Sequence, residues 1–188
     1  EFNPKKTRKL IQEFADRAYR RPTSKSELNR LMRVVLARVD QGQSEFEAMK
    51  DGLKAVLCSP AFLYLEEEKR SSGSDRLTDY GLASRLTYFL WGSQPDQELV
   101  DLARRGRLSR PDVLQAQMDR LLMDERSDRF VSGFLDSWLT LRNLGEAPPD
   151  RGKFEKYYAD DLGAAMRTET ELFTRNALDE NLNISCFL

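Results

Sequence analysis

The 188 residues of this chain include no histidine. This absence is more informative than any motif in the sequence, because it excludes several classes of function. Without imidazole the chain supplies no Ser-His-Asp or Cys-His nucleophile, no His-containing zinc site and no His-ligated haem. A glycine-rich phosphate loop, a Cys-x-x-Cys pair and a dinucleotide-binding fingerprint are missing as well. We therefore expect no catalytic, metal or cofactor site within this chain.

An excess of charge of either sign is also lacking. The 30 basic and 31 acidic residues leave a formal net charge of -1, which argues against a nucleic-acid-binding protein because such proteins need a net basic surface. The sequence contains no run of 18 apolar residues, so no membrane span is predicted. There is no initiator methionine or signal peptide, and the last residues, 183–188, are apolar. We expect a fragment of a larger protein, truncated at its C-terminus.

The two cysteines, Cys58 and Cys186, are far apart in the sequence. Their simplest interpretation is as two small buried apolar residues. A disulfide between them is the alternative if the full protein is exported.

The composition favours helices. Leucine occurs 27 times, against 9 for isoleucine and valine together, and leucine is the better helix former. Apolar residues recur at helical spacing, and Ser24 with Glu27 and Ser44 with Glu47 form capping-box patterns before two such segments. We predict an all-α fold of about eight helices, with an N-terminal helical hairpin set (1–65), a linker (66–76) and a larger helical set (77–188) on which the first set packs.

Later segments carry aromatic stripes. One helix is predicted from Ser127 to Gly145 with Phe130, Phe134 and Trp138 on one stripe. Another is predicted from Tyr158 to Asn181. Trp138, together with Tyr88, Phe89 and Trp91, is expected to lie in the core.

Two charged residues interrupt apolar stripes. Arg85 lies between Leu82 and Phe89, and Glu169 lies between Met166 and Phe173 at helical spacing. An unpaired buried charge costs several kcal/mol, so we expect Arg85 to form a buried ion pair with Glu169 or Glu171. This pair is either a structural contact between helices or part of a ligand or substrate site between the two helical sets.

A basic cluster ends the first predicted helix: Arg17, Arg20 and Arg21. Cations are favoured at a helix C-terminus, so the simplest role is solvation or capping of carbonyl groups. Binding of a phosphate, a nucleic acid or an acidic partner is the alternative.

Four stretches, in this order, are similar to a known family: FADRAYRRP (14–22), LASRLTYFLWGSQPDQEL (82–99), FLDSWLTLRNL (134–144) and MRTETELF (166–173). They resemble the planctomycete-type domain of unknown function 1592, and the first sixty or so residues resemble its companion module, 1595. The resemblance implies a large, exported bacterial protein of several modules. Many proteins of this family carry c-type haem outside the region that matches this chain. It implies no catalytic residue.

We therefore expect a non-catalytic structural or interaction domain of an exported multidomain protein, periplasmic or at the cell surface, whose partners are other modules of the same chain. No cofactor is expected in this fragment, and c-type haem is expected elsewhere in the parent protein. The alternative is an enzyme or ligand-binding domain with a pocket between the helical sets that uses Arg85 and Glu169 or Glu171.

Overall fold

The computed structural model describes residues 2–65 and 75–187, and within these residues the fold is all-α, as predicted. The described residues form ten α-helices, eight of them seven residues or longer, and no β-strand. The helices are α1 (Pro4–Ala18), α2 (Lys25–Asp40), α3 (Glu45–Leu57), α4 (Pro60–Leu63), α5 (Asp79–Trp91), α6 (Gln97–Arg104), α7 (Pro111–Met123), α8 (Asp128–Trp138), α9 (Glu155–Ala159) and α10 (Leu162–Asp179).

The first three helices pack on one another around a shared apolar core. Each has one apolar stripe, and burying these stripes together removes the apolar side chains from water, at about 1.5–3 kcal/mol for each large side chain. Ile11, Val35 and Val56 are completely buried in this core. The other buried members are Ala15, Ala18, Tyr19, Leu28, Leu31, Met32 and Ala48.

The predicted N-terminal caps of these helices are present. The Ser24 hydroxyl accepts a hydrogen bond from the backbone of Glu27, and the Glu27 carboxylate accepts one from the Ser24 backbone, which completes a capping box. Ser44 Oγ likewise accepts a hydrogen bond from the Glu47 backbone at the start of α3. These caps satisfy amide groups that have no partner within the helix.

Packing divides the chain into two compact units. Unit 1 comprises residues 1–86 and 94–114, and unit 2 comprises residues 87–93 and 115–188. The predicted modules, 1–65 and 77–188, stay a prediction. Residues 66–74 of the predicted linker lie outside the described residues.

In unit 1, α5 turns a polar side chain inward. Asp79 is buried, and its Oδ2 accepts hydrogen bonds from the backbone amides of Leu108 (2.8 Å) and Ser109 (3.4 Å). A carboxylate in this position satisfies buried amide groups of the turn that leads to α7.

In unit 2, Trp91 is completely buried, as predicted. Its indole Nε1 donates a hydrogen bond to the Leu121 carbonyl (2.9 Å), and the Arg126 guanidinium carbon lies 3.4 Å from the ring centroid. Asp124 accepts two hydrogen bonds from Arg126, both at 2.7 Å. These bonds lower the pKa of Asp124 to about 2.

Two predicted helices of unit 2 end or break earlier than expected. α8 ends at Trp138 rather than near Gly145, because Thr140 adopts a left-handed conformation with φ of 57°. The predicted helix from Tyr158 to Asn181 is divided into α9 and α10, since Asp161 between them has φ of 47°. Neither residue is glycine or proline, so these breaks have no signal in the sequence.

Candidate functional site

The basic cluster at the end of α1 is divided by the structure into residues with different roles. Arg20 follows the last turn of α1 in a left-handed conformation, with φ of 61°. From there its Nη2 donates hydrogen bonds to the carbonyl oxygens of Ala61 (2.8 Å) and Tyr64 (3.0 Å) at the end of α4. Arg20 therefore caps carbonyl groups of a neighbouring helix.

Arg21 holds the start of α2. Its guanidinium donates to both carboxylate oxygens of Glu27, at 3.1 and 2.8 Å, and lies over the Tyr19 ring. Hydrogen bonding to Arg21 lowers the pKa of Glu27 to about 2. Because Glu27 also completes the capping box, Arg21 stabilises the junction of α1 and α2.

Arg17, the remaining member of the cluster, is exposed. Among the described residues, the Arg17 side chain makes no hydrogen bond or ion pair, whereas the guanidinium groups of Arg20 and Arg21 do.

The expected buried ion pair of Arg85 with Glu169 or Glu171 is wrong in its premise. Arg85 and Glu169 are both exposed, so neither charge needs a buried counter-ion. Glu171 is half-buried and accepts a hydrogen bond from Arg167, one turn before it on α10 (3.1 Å). Burial was predicted wrongly because the apolar stripe between Leu82 and Phe89 was taken as the inward face of α5. Pairing of Arg85 with Glu169 or Glu171 stays a prediction.

The inward face of α5 is composed largely of small and polar residues. Ala83, Ser84 and Thr87 are buried, whereas Phe89 is 65% exposed. Arg85 lies outside this inward face, because residues that share a face of a helix are three or four positions apart. Hydrophobicity alone therefore selected the wrong side of the helix.

Arg167, which was not predicted as a site residue, makes a polar cluster in unit 2. Arg167 donates to Asp136 (2.8 Å), to Glu171 (3.1 Å) and to the carbonyl oxygen of Leu141 (3.2 Å). The bond to Asp136 raises the pKa of the Arg167 guanidinium further. The cluster joins α8, the turn after it and α10, and the i,i+4 spacing of Arg167 and Glu171 was the only signal of it in the sequence.

Unit 1 contains a cleft of about 1510 Å³. One wall carries a row from α1 (Leu10, Phe14 and Arg17) and a row from α3 (Met49, Leu53 and Leu57). Residues of α6, including Val100 and Arg104, line the cleft as well. Arg85, the residue expected at a pocket, is not among the lining residues.

Unit 2 carries a continuous set of six aromatic rings, which we call the aromatic face. Neighbouring ring centroids are 4.9–5.8 Å apart along the whole series. In order of contact, the rings are those of Phe89, Phe130, Phe134, Trp138, Phe187 and Phe173.

The aromatic face is exposed, which contradicts the expectation that Phe89 and Trp138 lie in the core. Trp138 is 51% exposed and Phe134 is 44% exposed, and the buried side of α8 is formed instead by Val131 and Leu135. At roughly 200 Å² per aromatic side chain, the six rings leave on the order of 500 Å² in contact with water. Leu162 and Met166, also exposed, extend the Phe173 stripe along α10. The exposed apolar area of the whole surface therefore equals or exceeds that of the largest apolar patch on an ordinary monomer, about 300–600 Å².

The cysteines do not have the environment expected of them. Cys58, at the end of α3, and Cys186 are both free and exposed. Both alternatives, small buried apolar residues and a disulfide, are therefore wrong for this structure.

Within residues 2–65 and 75–187, no group of three or more Cys, Asp or Glu side chains has an arrangement that would hold a metal ion. No helix in the same residues combines the length and the apolar character needed to span a bilayer.

Comparison with known proteins gives a family but no function. A family described as Protein of unknown function (DUF1595) matches residues 6–67, and one described as Protein of unknown function (DUF1592) matches residues 77–188. No curated protein and no solved structure matches the chain. Because the second match covers more than half of the sequence and the first covers most of the rest, the chain belongs to the DUF1592 family and carries a DUF1595 module before it.

Proposed function

We propose that this chain is a non-catalytic structural and interaction module of a larger exported protein, and that its aromatic face packs against another module of the same polypeptide. The single observation that supports this proposal is the aromatic face itself: side chains with the size and spacing of a protein core are in contact with water. Covering them is favourable because it removes a large apolar area from water.

The composition of the face is that of an interface centre. Interface centres are enriched in aromatic side chains and methionine and depleted of charge. The six rings, with Met166 beside them, fit this description. A partner in the same polypeptide is favoured because the chain already contains two family modules in succession, at 6–67 and 77–188.

The test is calorimetric titration of this chain with the remaining modules of the parent polypeptide, produced as a separate protein. We expect binding, and we expect Trp138→Ser to weaken it by about thirtyfold, since a central aromatic residue typically contributes 2 kcal/mol or more. Phe46→Ser is the matched control, because Phe46 is also exposed (62%) but lies on α3 in unit 1. Equal affinity of the wild type and Trp138→Ser, or no binding, would contradict the proposal.

The parent protein is proposed to be exported and to carry c-type haem in modules outside this chain. The support for this is the resemblance of the sequence to the planctomycete-type family. The absorbance spectrum of the intact parent protein tests the haem: we expect a Soret band in the parent and none in this chain. A parent protein without haem bands would remove this part of the proposal and leave the aromatic face unaffected.

A further inference from the structure

We propose that the cleft of unit 1 is a docking site for an amphipathic helix that carries a carboxylate, and that Arg17 pairs with this carboxylate. This site is separate from the aromatic face of unit 2, and the proposal stands or falls independently of the proposed function.

The size of the cleft favours a helix. Its volume, about 1510 Å³, exceeds the 300–1,000 Å³ or so of pockets for small molecules. A helix about 10 Å in diameter, rising 1.5 Å per residue, would fill this volume with roughly 13 residues. A segment of this length spans the i, i+3 or i+4 and i+7 anchor positions by which an amphipathic helix docks in an apolar groove.

The wall formed by α1 and α3 has the pattern that receives a helix. Leu10, Phe14 and Arg17 are separated by four and three residues, so they form one row along α1. Met49, Leu53 and Leu57 form a second row along α3, which packs beside α1. Two neighbouring rows of side chains leave a groove between them, and the ridge of another helix fits such a groove.

The groove is apolar but open to water. Leu10 and Leu57 are each 41% exposed and Phe14 is 36% exposed, and each lies one position along its helix from a buried residue (Ile11, Val56 and Ala15, respectively). α6 contributes lining residues but makes no extended contact with α1 or α3. The exposed side chains therefore have space for an apolar partner that the described residues do not supply.

The charges that line the cleft favour an acidic occupant. Glu13 pairs with Lys9 (3.7 Å), and Asp16 accepts a hydrogen bond from the Thr23 amide. Asp96 caps α6, and Arg104 pairs with Asp101. Arg20 and Arg21 are held by the carbonyl oxygens and the carboxylate described above. Arg17, which makes no ion pair in the described part of the chain, is the lining charge left to pair with a partner. A carboxylate is the group that an arginine recognises with two parallel hydrogen bonds.

The experiment is selection from a displayed library of 14-residue amphipathic helices, with the full 188-residue chain as bait. We expect enriched peptides with apolar residues at i, i+3 or i+4 and i+7, and with Glu or Asp at one edge of that stripe. The best peptide is then synthesised, and its affinity is measured by fluorescence anisotropy for the wild type and for variants of the chain.

Arg17→Ala should weaken binding about fivefold, as expected for an ion pair at the edge of an interface. Arg17→Glu should weaken it about twentyfold, and a peptide with Lys in place of its acidic residue should recover most of that loss on the Arg17→Glu chain. The matched control is Arg33→Ala on α2, since Arg33 is exposed and lies outside the cleft lining. Far-UV circular dichroism verifies that each variant is folded.

Three results would overturn the proposal: no enrichment of amphipathic peptides, enrichment without an acidic residue, or equal loss of affinity in Arg17→Glu and Arg33→Ala. Unchanged binding of the peptide to the Leu57→Glu variant of the chain would also overturn the proposal, because the peptide would then occupy another surface. If no module of the parent polypeptide bound the aromatic face, the peptide results at the cleft would not change. A failure of the proposed function can therefore be distinguished from a failure of this proposal.

Discussion

Gly52 should not accept even a single added methyl group, because α3 is packed closely against α1 and α2 at this position. A Cβ atom built on Gly52 would lie 2.6 Å from Val35 Cγ2 and 3.0 Å from Ile11 Cδ1. Both neighbours are completely buried, and the valine side chain on a helix has essentially one rotamer, so it has little freedom to move away. Gly52→Ala therefore forces the helices apart or strains the Val35 side chain.

The expected magnitude follows from two opposed effects. Overpacking of a filled core typically costs about 1–3 kcal/mol, and the short distance to a stiff side chain places Gly52→Ala in the upper half of that range. Alanine is the better helix former by about 1 kcal/mol. We expect Gly52→Ala to lower the free energy of unfolding by about 1–2 kcal/mol, as measured by urea denaturation followed by circular dichroism at 222 nm.

Gly133 provides a matched control that isolates the packing cost. It also lies within a helix, α8, but a Cβ atom there would have no neighbour within 4 Å. Gly133→Ala should therefore raise stability by about 0.5–1 kcal/mol. The difference between the two substitutions cancels helix propensity and should be about 2–3 kcal/mol.

A second variant tests the cause. Val35→Ala removes the atom nearest to the added methyl group, so the double variant Gly52→Ala, Val35→Ala should cost at least about 1 kcal/mol less than the sum of the two single variants. Gly52→Ala with the stability of the wild type, or a strictly additive double variant, would refute the close packing of the three-helix core.

Further predictions concern the backbone strain, the ion pair and the cation–π contact described above. Thr140→Gly should raise the free energy of unfolding by about 0.5–1 kcal/mol in urea denaturation, because a β-branched residue is strained at φ of 57°; a loss of stability would contradict this. Since the pKa of Glu27 is lowered from 4.5 to about 2 in the folded chain, its charged form stabilises the fold above pH 4.5, and this contribution is lost as the pH falls towards 2. The difference in stability between the wild type and Glu27→Gln should shrink over that interval in a pH series of denaturation curves, and a constant difference would refute the role of the charge. Arg126→Ala should lower the free energy of unfolding by about 1–2 kcal/mol, since it removes both the stacking on Trp91 and the partner of Asp124, while Arg129→Ala, which removes a single long hydrogen bond to Trp91, should cost clearly less.

The helical class, the first three helices and their caps were predictable from the sequence for a physical reason. α1, α2 and α3 each have one apolar stripe, and residues such as Ile11 and Val35 on those stripes are buried. When a helix has only one apolar side, burial of that side is the only way to remove it from water, so pattern and structure agree.

The later helices were harder because they have apolar residues on more than one side. α8 carries Val131 and Leu135 on one side and Phe134 and Trp138 on another, and only the first side is buried. The local sequence pattern does not determine which of the two apolar sides packs against another helix. The buried role of Asp79 was missed for a related reason, since the amides that it binds are 29 and 30 residues away in the chain.

The candidate sites show the same limit. The basic cluster was visible in the sequence, but the different roles of Arg17, Arg20 and Arg21 depend on contacts with α4 and with Glu27. The prediction for Arg85 and Glu169 relied on a stripe that turned out to be the exposed side. Periodicity locates a stripe well, whereas its burial depends on long-range packing.

Acrylamide quenching of Trp138 tests the central claim, that the aromatic face is a docking surface, most directly. In a Trp91→Phe background Trp138 is the only tryptophan of this chain, and half of its surface is exposed. Placed in the parent protein with the parent's other tryptophans replaced by phenylalanine, it should be strongly protected from acrylamide, whereas in the isolated chain it should be readily quenched. Equal quenching in the two contexts would contradict the claim.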